Sequence, residues 1–125
     1  MKRVTGIGGI FFKAGDPQAL GDWYRRHLGL DIGSWGGAVF HWADDSPAGS
    51  TAWSLFKQDT DHFAPSAAPF MVNFRVADLH ALLAALRAEG CQVLEKVDES
   101  EYGKFGWVMD PEGNKLELWE PPAGR

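Results

Sequence analysis

A carboxylate near the C-terminus has the clearest potential for chemistry in this sequence. Glu117 lies between Leu116 and Leu118, shortly after the turn residues DPEGN. Apolar and polar residues alternate through 115–119, which predicts a strand with both leucines on one face and Glu117 on the other. An unpaired charge is costly to bury, so we expect Glu117 to have a polar partner. In a partly dry cavity it would serve as a catalytic general base or as a hydrogen-bond acceptor.

The segment 70–76 predicts a second strand that can supply this partner. Its alternation places Asn73 and Arg75, together with Met71, on the face opposite the apolar one. A guanidinium pairs well with a carboxylate and also suits an anionic ligand. Asn73 or Arg75 is therefore the predicted partner of Glu117. The alternatives are that Glu117 forms only an ion pair with Arg75 or is a remnant of an older site, and that Asn73 and Arg75 lie at the cavity rim.

Two helices are predicted to pack on the apolar faces of these strands. The first begins at Asp16-Pro17, an aspartate cap followed by proline, and runs to about His27. The second begins after the cap Asp78 and stops at Gly90. Its apolar residues have helical spacing: Leu79, Leu82, Leu83 and Leu86.

The predicted strands give the chain two similar halves. Those of the first half are 7–12, 38–42 and 51–56, with a further one around 30–35, and those of the second half are 70–76, 92–97, 105–109 and 115–119. An offset of about 62 to 64 residues superposes the halves and carries Asp16 onto Asp78. This similarity indicates duplication of one βαβββ unit, and a chance likeness between two βα units is the alternative.

The predicted architecture follows from this repeat. We expect one domain over residues 1–125, with module one at about 5–56, a linker at about 57–69 and module two at about 70–121. The fold class is α+β, in which the two βαβββ modules form a cup-shaped, curled mixed sheet with the helices outside.

Composition narrows the classes of partner. The hydrophobic fraction of 45% and the charged fraction of 23% are ordinary for a soluble globular protein. The sequence has no apolar run long enough to span a membrane, and its net charge of −5 argues against nucleic acid as a partner. A single cysteine, Cys91, and the lack of a signal-peptide pattern favour the reducing cytoplasm. A small molecule is the expected partner.

Aromatic residues suggest what that molecule is. Six tryptophans and eight phenylalanines are many for 125 residues, and they either line a pocket for an aromatic or cyclic ligand or fill a core. The candidate pocket residues are Phe11, Trp53, Met71 and Trp119. His41 is a further candidate ligand-binding residue, with an ordinary strand histidine as the alternative. His62 in the linker and His80 in a helix are expected to be exposed.

Three segments carry a family resemblance. They are GGIFFKAGDPQALGDWYRRHLGL, VADLHALLAALRAEG and GWVMDPEGNKLELWEP. Together with the paired βαβββ pattern, they resemble the vicinal oxygen chelate superfamily, which includes glyoxalase I, bleomycin-resistance proteins, fosfomycin-resistance enzymes and extradiol dioxygenases. The resemblance implies a cup around a small-molecule site and a homodimer.

In metal-using members of that superfamily the cup holds a divalent ion on four strand positions. The resemblance places these positions at Gly9, Trp53, Met71 and Glu117. Glycine has no side-chain donor, indole nitrogen has no free lone pair, and thioether sulfur suits soft metals rather than oxygen-seeking ions. One carboxylate cannot hold a divalent ion against water, so we predict a metal-free cup, with a divalent metal held by other partners as the alternative.

Three functions are compatible with these residues. The first is a small-molecule-binding protein with an aromatic-lined cup and polar contacts from Asn73, Arg75 and Glu117. The second is a metal-dependent lyase, isomerase or dioxygenase that uses Glu117 and a ligand such as His41. The third is a resistance protein that sequesters a drug or toxin without turnover.

Overall fold

The computed structural model describes residues 3, 7–44 and 49–123. Within them lie two α-helices, α1 (Pro17–Leu28) and α2 (Leu79–Ala88), and a short 3₁₀ turn, Trp42–Asp44. The strands are β1 (Val72–Arg75), β2 (Gln92–Val93), β3 (Asp98–Ser100), β4 (Gly103–Met109) and β5 (Lys115–Glu120). The predicted start of module one near residue 5 lies outside the described residues. Neither described helix has the length and apolar character needed to span a membrane.

The strands form one open mixed sheet. Its order is β1-β5-β4-β2, and β3 pairs with β4. β1 runs parallel to β5, whereas β5 and β4 are antiparallel. Glu117 pairs with Asn73 on one side and with Trp107 on the other. Directly paired residues project from the same face, so the register places these three side chains in one row.

The opposite face of the sheet forms the core with the helices. Leu116 and Leu118 of β5 are buried there, as predicted from the alternation. Their partners on α2 are also buried: Leu79, Leu83 and Leu86. Gly106 of β4 allows close packing, because a Cβ at that position would lie 3.0 Å from Leu83 Cδ1.

Both helices begin at the predicted caps. The side chain of Asp16 accepts a hydrogen bond from the backbone N–H of Ala19, and that of Asp78 accepts one from Ala81. Each cap satisfies a backbone donor that the first helical turn leaves without a partner. The superposition of Asp16 on Asp78 therefore has a structural counterpart in two equivalent helix starts.

The turn before β5 attaches α1 to the second half of the chain. Glu112 accepts hydrogen bonds from the backbone N–H groups of Gly15 (2.7 Å) and Asp16 (2.9 Å). Asp110 accepts a bond of 2.8 Å from the hydroxyl of Tyr24 in α1. Asp110 also accepts from the Asn114 side chain within the turn, at 2.8 Å. The DPEGN sequence thus combines a tight turn with a carboxylate cap for α1.

The α+β fold class is confirmed, and so is the βαβββ order of the second half, to which the structure adds the short strand β3. The strand predictions at 7–12, 30–35, 38–42 and 51–56 differ from the structure, because all five assigned strands lie beyond residue 71 in the part of the chain described. Two glycine pairs, Gly8-Gly9 and Gly36-Gly37, reduce strand propensity in the first half. The last residue of 38–42 begins the 3₁₀ turn.

Candidate functional site

The carboxylate of Glu117 is held by side chains from the two neighbouring strands. Its Oε1 accepts a hydrogen bond of 2.8 Å from Asn73 Nδ2. Its Oε2 accepts a bond of 3.0 Å from the indole Nε1–H of Trp107. The Glu117 side chain is 15% exposed, so the carboxylate is partly dry but still reached by solvent. Asn73 is therefore the hydrogen-bond partner, one of the two predicted.

His62, in the segment 57–69, lies close to the same carboxylate. Nε2 of His62 lies 3.4 Å from Oε2 of Glu117. The His62 ring stacks on Phe56, with 5.3 Å between centroids, and meets the edge of Trp107 at 6.0 Å. The expectation that His62 is exposed is wrong: its side chain is 34% exposed and belongs to the site. The contacts of His62 with Trp107 and Glu117 bring this part of the segment 57–69 against the sheet.

Lys115 fixes the position of His62. Its Nζ donates a hydrogen bond of 2.7 Å to the backbone carbonyl of His62 and lies 5.4 Å from the centroid of the Trp107 ring. Burial is the main influence on this ammonium and lowers the pKa of Lys115, while the nearby Glu117 carboxylate opposes that effect. A buried cation thus connects the segment 57–69 to the sheet.

The other polar residue predicted for this face contacts an aromatic ring. The guanidinium carbon of Arg75 lies 5.7 Å from the centroid of Trp119, a distance at which a cation is attracted to the ring face. Nε1 of Trp119 donates to the carbonyl of Tyr102 at 2.8 Å. The Trp119 ring also stacks on Phe105, with centroids 6.3 Å apart. We call the surface formed by Asn73, Arg75, Trp107, Glu117 and Trp119 the Glu117 face.

The remaining sequence-predicted site residues lie in less enclosed surroundings. Phe11 is 92% exposed and Trp53 is 72% exposed. Met71 precedes β1 and is half-buried. His41 is exposed and lines a cavity of about 430 Å³ with Gly8, Phe40, Trp42 and Ala43. His62, rather than one of these four residues, lies beside Glu117 in the structure. The roles of Phe11, His41, Trp53 and Met71 in binding stay predictions.

The four positions implied for a divalent ion do not fit one. Glu117 alone among them has a ligand group of the right kind, and both of its oxygens already accept hydrogen bonds. Gly9 has no side chain, and the indole of Trp53 is mostly in solvent. These four positions therefore do not supply a ligand set for a divalent ion.

Three residues of the site were not identified as site residues from the sequence. Trp107 and Lys115 follow from strand register, since Trp107 pairs directly with Glu117 and Lys115 lies two residues before it on the same face. Once the pairing of β4 with β5 is known, the alternation along the two strands predicts that Trp107 and Lys115 lie on the same face as Glu117. His62 had no such signal, because no strand pattern fixes the direction of its side chain.

Comparison with known proteins supports the assignment of the fold. The glyoxalase-like domain family matches residues 9–119. The crystal structure of TnmS3, an antibiotic binding protein from Streptomyces sp. CB03234, is similar over 98% of this chain and 100% of that chain, with 19% identity and a TM-score of 0.62. The oxidase ChaP-H2 is similar over 89% of each chain, with 15% identity and a TM-score of 0.52.

One solved structure is similar to only part of this chain but has a higher sequence identity to it than the two structures above. The glyoxalase family protein from Enterococcus faecalis is 27% identical over 46% of this chain and 47% of that chain, with a TM-score of 0.38. The match therefore spans about half of either protein. The curated proteins give no significant match.

The family match extends over most of the chain and includes both helix starts, the DPEGN turn and the strand that carries Glu117. The chain belongs to the glyoxalase-like domain family, within the vicinal oxygen chelate superfamily.

Proposed function

We propose that this protein binds a small aromatic or cyclic molecule on the Glu117 face. The observation that carries the proposal is a carboxylate fixed by two side-chain donors, Asn73 and Trp107, next to an accessible indole, Trp119. A fixed carboxylate selects ligand groups that donate hydrogen bonds, because it does not have to be ordered when the ligand arrives. The half-buried ring of Trp119 adds apolar area for a flat ligand.

A cavity beside the Glu117 face is the proposed extension of this site. A cavity of about 360 Å³ lies along 54–69 and includes Phe56, Thr60 and Phe63 in its lining. That volume is within the range of small-molecule pockets. Phe56 and Phe63 both contact the ring of His62, which in turn approaches Glu117. In this proposal, a ligand that extends from the cavity to Glu117 passes the His62 ring, because the cavity lining contains no residue of the Glu117 face.

We propose that the ligand binds without a metal and that the protein holds it without converting it to a product. The residues at the implied ligand positions do not fit a divalent ion, which supports metal-free binding. TnmS3, which shares the fold at low identity, is named as an antibiotic binding protein, and this supports a role in holding or sequestering a drug-like compound. The lone cysteine supports a place in the reducing cytoplasm.

A second candidate function is supported by the proximity of His62 and Glu117. An imidazole and a carboxylate 3.4 Å apart can pass a proton to and from a substrate when the imidazole takes part in acid–base chemistry. A lyase or isomerase reaction needs such a transfer, whereas simple binding does not. Replacing His62 by Gln would then abolish product formation and leave binding within about threefold.

A homodimer is part of the proposal. The first half exposes large apolar side chains, among them Ile10 (57%), Phe11 (92%) and Leu55 (82%). Exposed apolar surface of this kind is typical of a protein interface. Light scattering after size exclusion should give twice the mass of 13.8 kDa, and a monomer at micromolar concentration would contradict this part.

The test of the main proposal is a binding screen with aromatic and polycyclic compounds, read by tryptophan fluorescence. We expect micromolar binding by at least one class of compound. Glu117→Gln and Asn73→Ala should weaken it about tenfold or more, which is the effect of losing a hydrogen bond of roughly 1.4 kcal/mol. Glu101→Gln, at an exposed position, is the matched control. Binding that is equal in all variants would contradict the proposed site.

The same samples separate binding from catalysis. Mass spectrometry of the compound after incubation should recover it unchanged if the protein only binds it. A product that forms with the wild type and not with His62→Gln would favour the enzyme instead.

A further inference from the structure

Three potential metal ligands meet at the C-terminal ends of the two helices, away from the residues of the Glu117 face. His27 lies in the last turn of α1, Glu89 caps α2, and Cys91 follows two residues later. Nδ1 of His27, a carboxylate oxygen of Glu89 and Sγ of Cys91 all lie within 4.8 Å of one another. The shortest of these contacts joins His27 and Glu89 at 2.7 Å.

The predicted repeat relates two of these residues. The offset of 62 residues that carries Asp16 onto Asp78 also carries His27 onto Glu89. His27 lies in the last turn of α1 and Glu89 is the C-cap of α2. Their contact at 2.7 Å brings the two helix ends together.

Local structure fixes two of the three ligands in place. The ring of His27 packs against Trp23, with centroids 5.4 Å apart, and its side chain is only 11% exposed. After α2, Gly90 adopts a φ of 83°, and the Cys91 N–H donates to the carbonyl of Leu86 at 3.0 Å. This helix-ending turn sets the direction of the Cys91 side chain. Glu89, with a side chain 45% exposed, keeps the freedom to adjust.

The electrostatic surroundings favour a cation. The C-terminal end of a helix carries partial negative charge, and two such ends meet here. Of the three arginines in the last turns of the two helices, Arg25 bonds to Asp22 and to the carbonyl of Ile32, and Arg87 bonds to the carbonyl of Leu94. The third is Arg26, which precedes His27.

We propose that His27, Glu89 and Cys91 form a zinc site that joins the two modules. An imidazole, a carboxylate and a thiolate are all ordinary ligands of Zn²⁺, and water would complete a tetrahedral set. Binding forms Zn–N, Zn–O and Zn–S bonds and replaces the hydrogen bond between His27 and Glu89. Nδ1 of His27 gives up the proton that it shares with Glu89, so that the imidazole proton remains on Nε2, and the Cys91 thiol proton is released to solvent. Zinc neither gains nor loses electrons in this step.

The geometry requires a small adjustment. Tetrahedral zinc bonds of about 2.0–2.3 Å place ligand atoms about 3.3–3.6 Å apart. The contact of 2.7 Å between His27 and Glu89 would therefore open by about 0.6–0.9 Å, and the widest pair would close by up to about 1.5 Å. Rotation of the exposed Glu89 side chain provides most of this change.

Cobalt(II) titration of chelator-treated protein tests the site directly. Cobalt replaces zinc in such sites, and its absorption spectrum reports both a thiolate ligand and fourfold coordination. We expect one Co²⁺ per chain with a thiolate charge-transfer band, and stoichiometric loss of that band when Zn²⁺ is added. Cys91→Ser should remove the band, and His27→Gln or Glu89→Gln should weaken Co²⁺ binding at least tenfold.

The chain offers a matched control for a simple histidine–glutamate contact. Nε2 of His80 lies 3.1 Å from Oε1 of Glu99, and both side chains are more than half exposed. His80→Gln should leave Co²⁺ binding unchanged. Absence of the charge-transfer band in the wild type, or its persistence in Cys91→Ser, would overturn the proposal. Circular dichroism of each variant distinguishes loss of the site from loss of the fold.

Discussion

Two substitutions of Glu117, to Leu and to Gln, distinguish the contribution of its hydrogen bonds to stability from the contribution of its charge. Glu117→Leu removes both acceptors while keeping a side chain of similar length. The indole N–H of Trp107, whose residue is only 3% exposed, is then left without the acceptor it has at 3.0 Å. Asn73 is exposed and can turn to water. The loss of stability in Glu117→Leu therefore comes mainly from the indole N–H of Trp107, which is buried without an acceptor.

Glu117→Gln has a smaller predicted effect. The amide oxygen can face Trp107, and its NH₂ group can face Asn73 once the Asn73 amide rotates to present its own oxygen. Both hydrogen bonds then persist without a charged acceptor, at a cost of about 1 kcal/mol in total. An unsatisfied buried donor costs about 1–3 kcal/mol, so Glu117→Leu should lie at about 2–3 kcal/mol.

Urea unfolding, followed by tryptophan fluorescence and circular dichroism, measures both values. The expected order of stability is wild type, then Glu117→Gln, then Glu117→Leu, and Tm should fall by about 3–6 °C per kcal/mol. Glu101→Leu, at an exposed turn position, should lie within about 0.5 kcal/mol of wild type. A Glu117→Leu protein as stable as wild type would refute the argument that Trp107 and Glu117 satisfy each other.

The remaining predictions concern how α1 is attached. Burial and the hydrogen bond to Asp110 raise the pKa of Tyr24. Its folded-state pKa lies above the unfolded value of about 10, so its contribution to stability is complete below pH 10 and is lost as pH rises further. The free energy of unfolding, measured with urea, should decline by about 1.4 kcal/mol per pH unit above pH 10. Tyr24→Phe should reduce this slope, whereas the control Tyr102→Phe should not. Equal slopes in the two variants would contradict the prediction. Glu112→Gln weakens the cap on the N–H groups of Gly15 and Asp16 and should cost about 0.5–1 kcal/mol by urea unfolding, whereas no loss relative to Glu101→Gln would contradict that role.

Periodicity predicted the second half of the fold because its signals are local. Alternation in 115–119 separated Leu118 from Glu117, and helical spacing identified the buried leucines of α2. Aspartate caps marked both helix starts for the same reason, since a cap acts within one turn. These features need no knowledge of what packs against them.

The first half and part of the site depended on information that the sequence pattern lacks. Residues 51–56 have strand-like composition, yet the structure leaves most of their side chains exposed and outside the sheet. His62 approaches Glu117 because Lys115 bonds to its carbonyl, a contact between residues 53 positions apart. Composition predicted that the segment 57–69 is a linker and could not show that its His62 lies beside Glu117 and Trp107.

The most direct test of the central claim is a nuclear magnetic resonance titration of the indole N–H groups. The protein has six tryptophans, and those of Trp107 and Trp119 donate hydrogen bonds at the Glu117 face. Addition of the tightest-binding compound from the aromatic panel should shift these two signals and leave Trp23, which packs against His27 on α1, unchanged. Shifts at Trp23 without shifts at Trp107 and Trp119 would contradict binding on the Glu117 face.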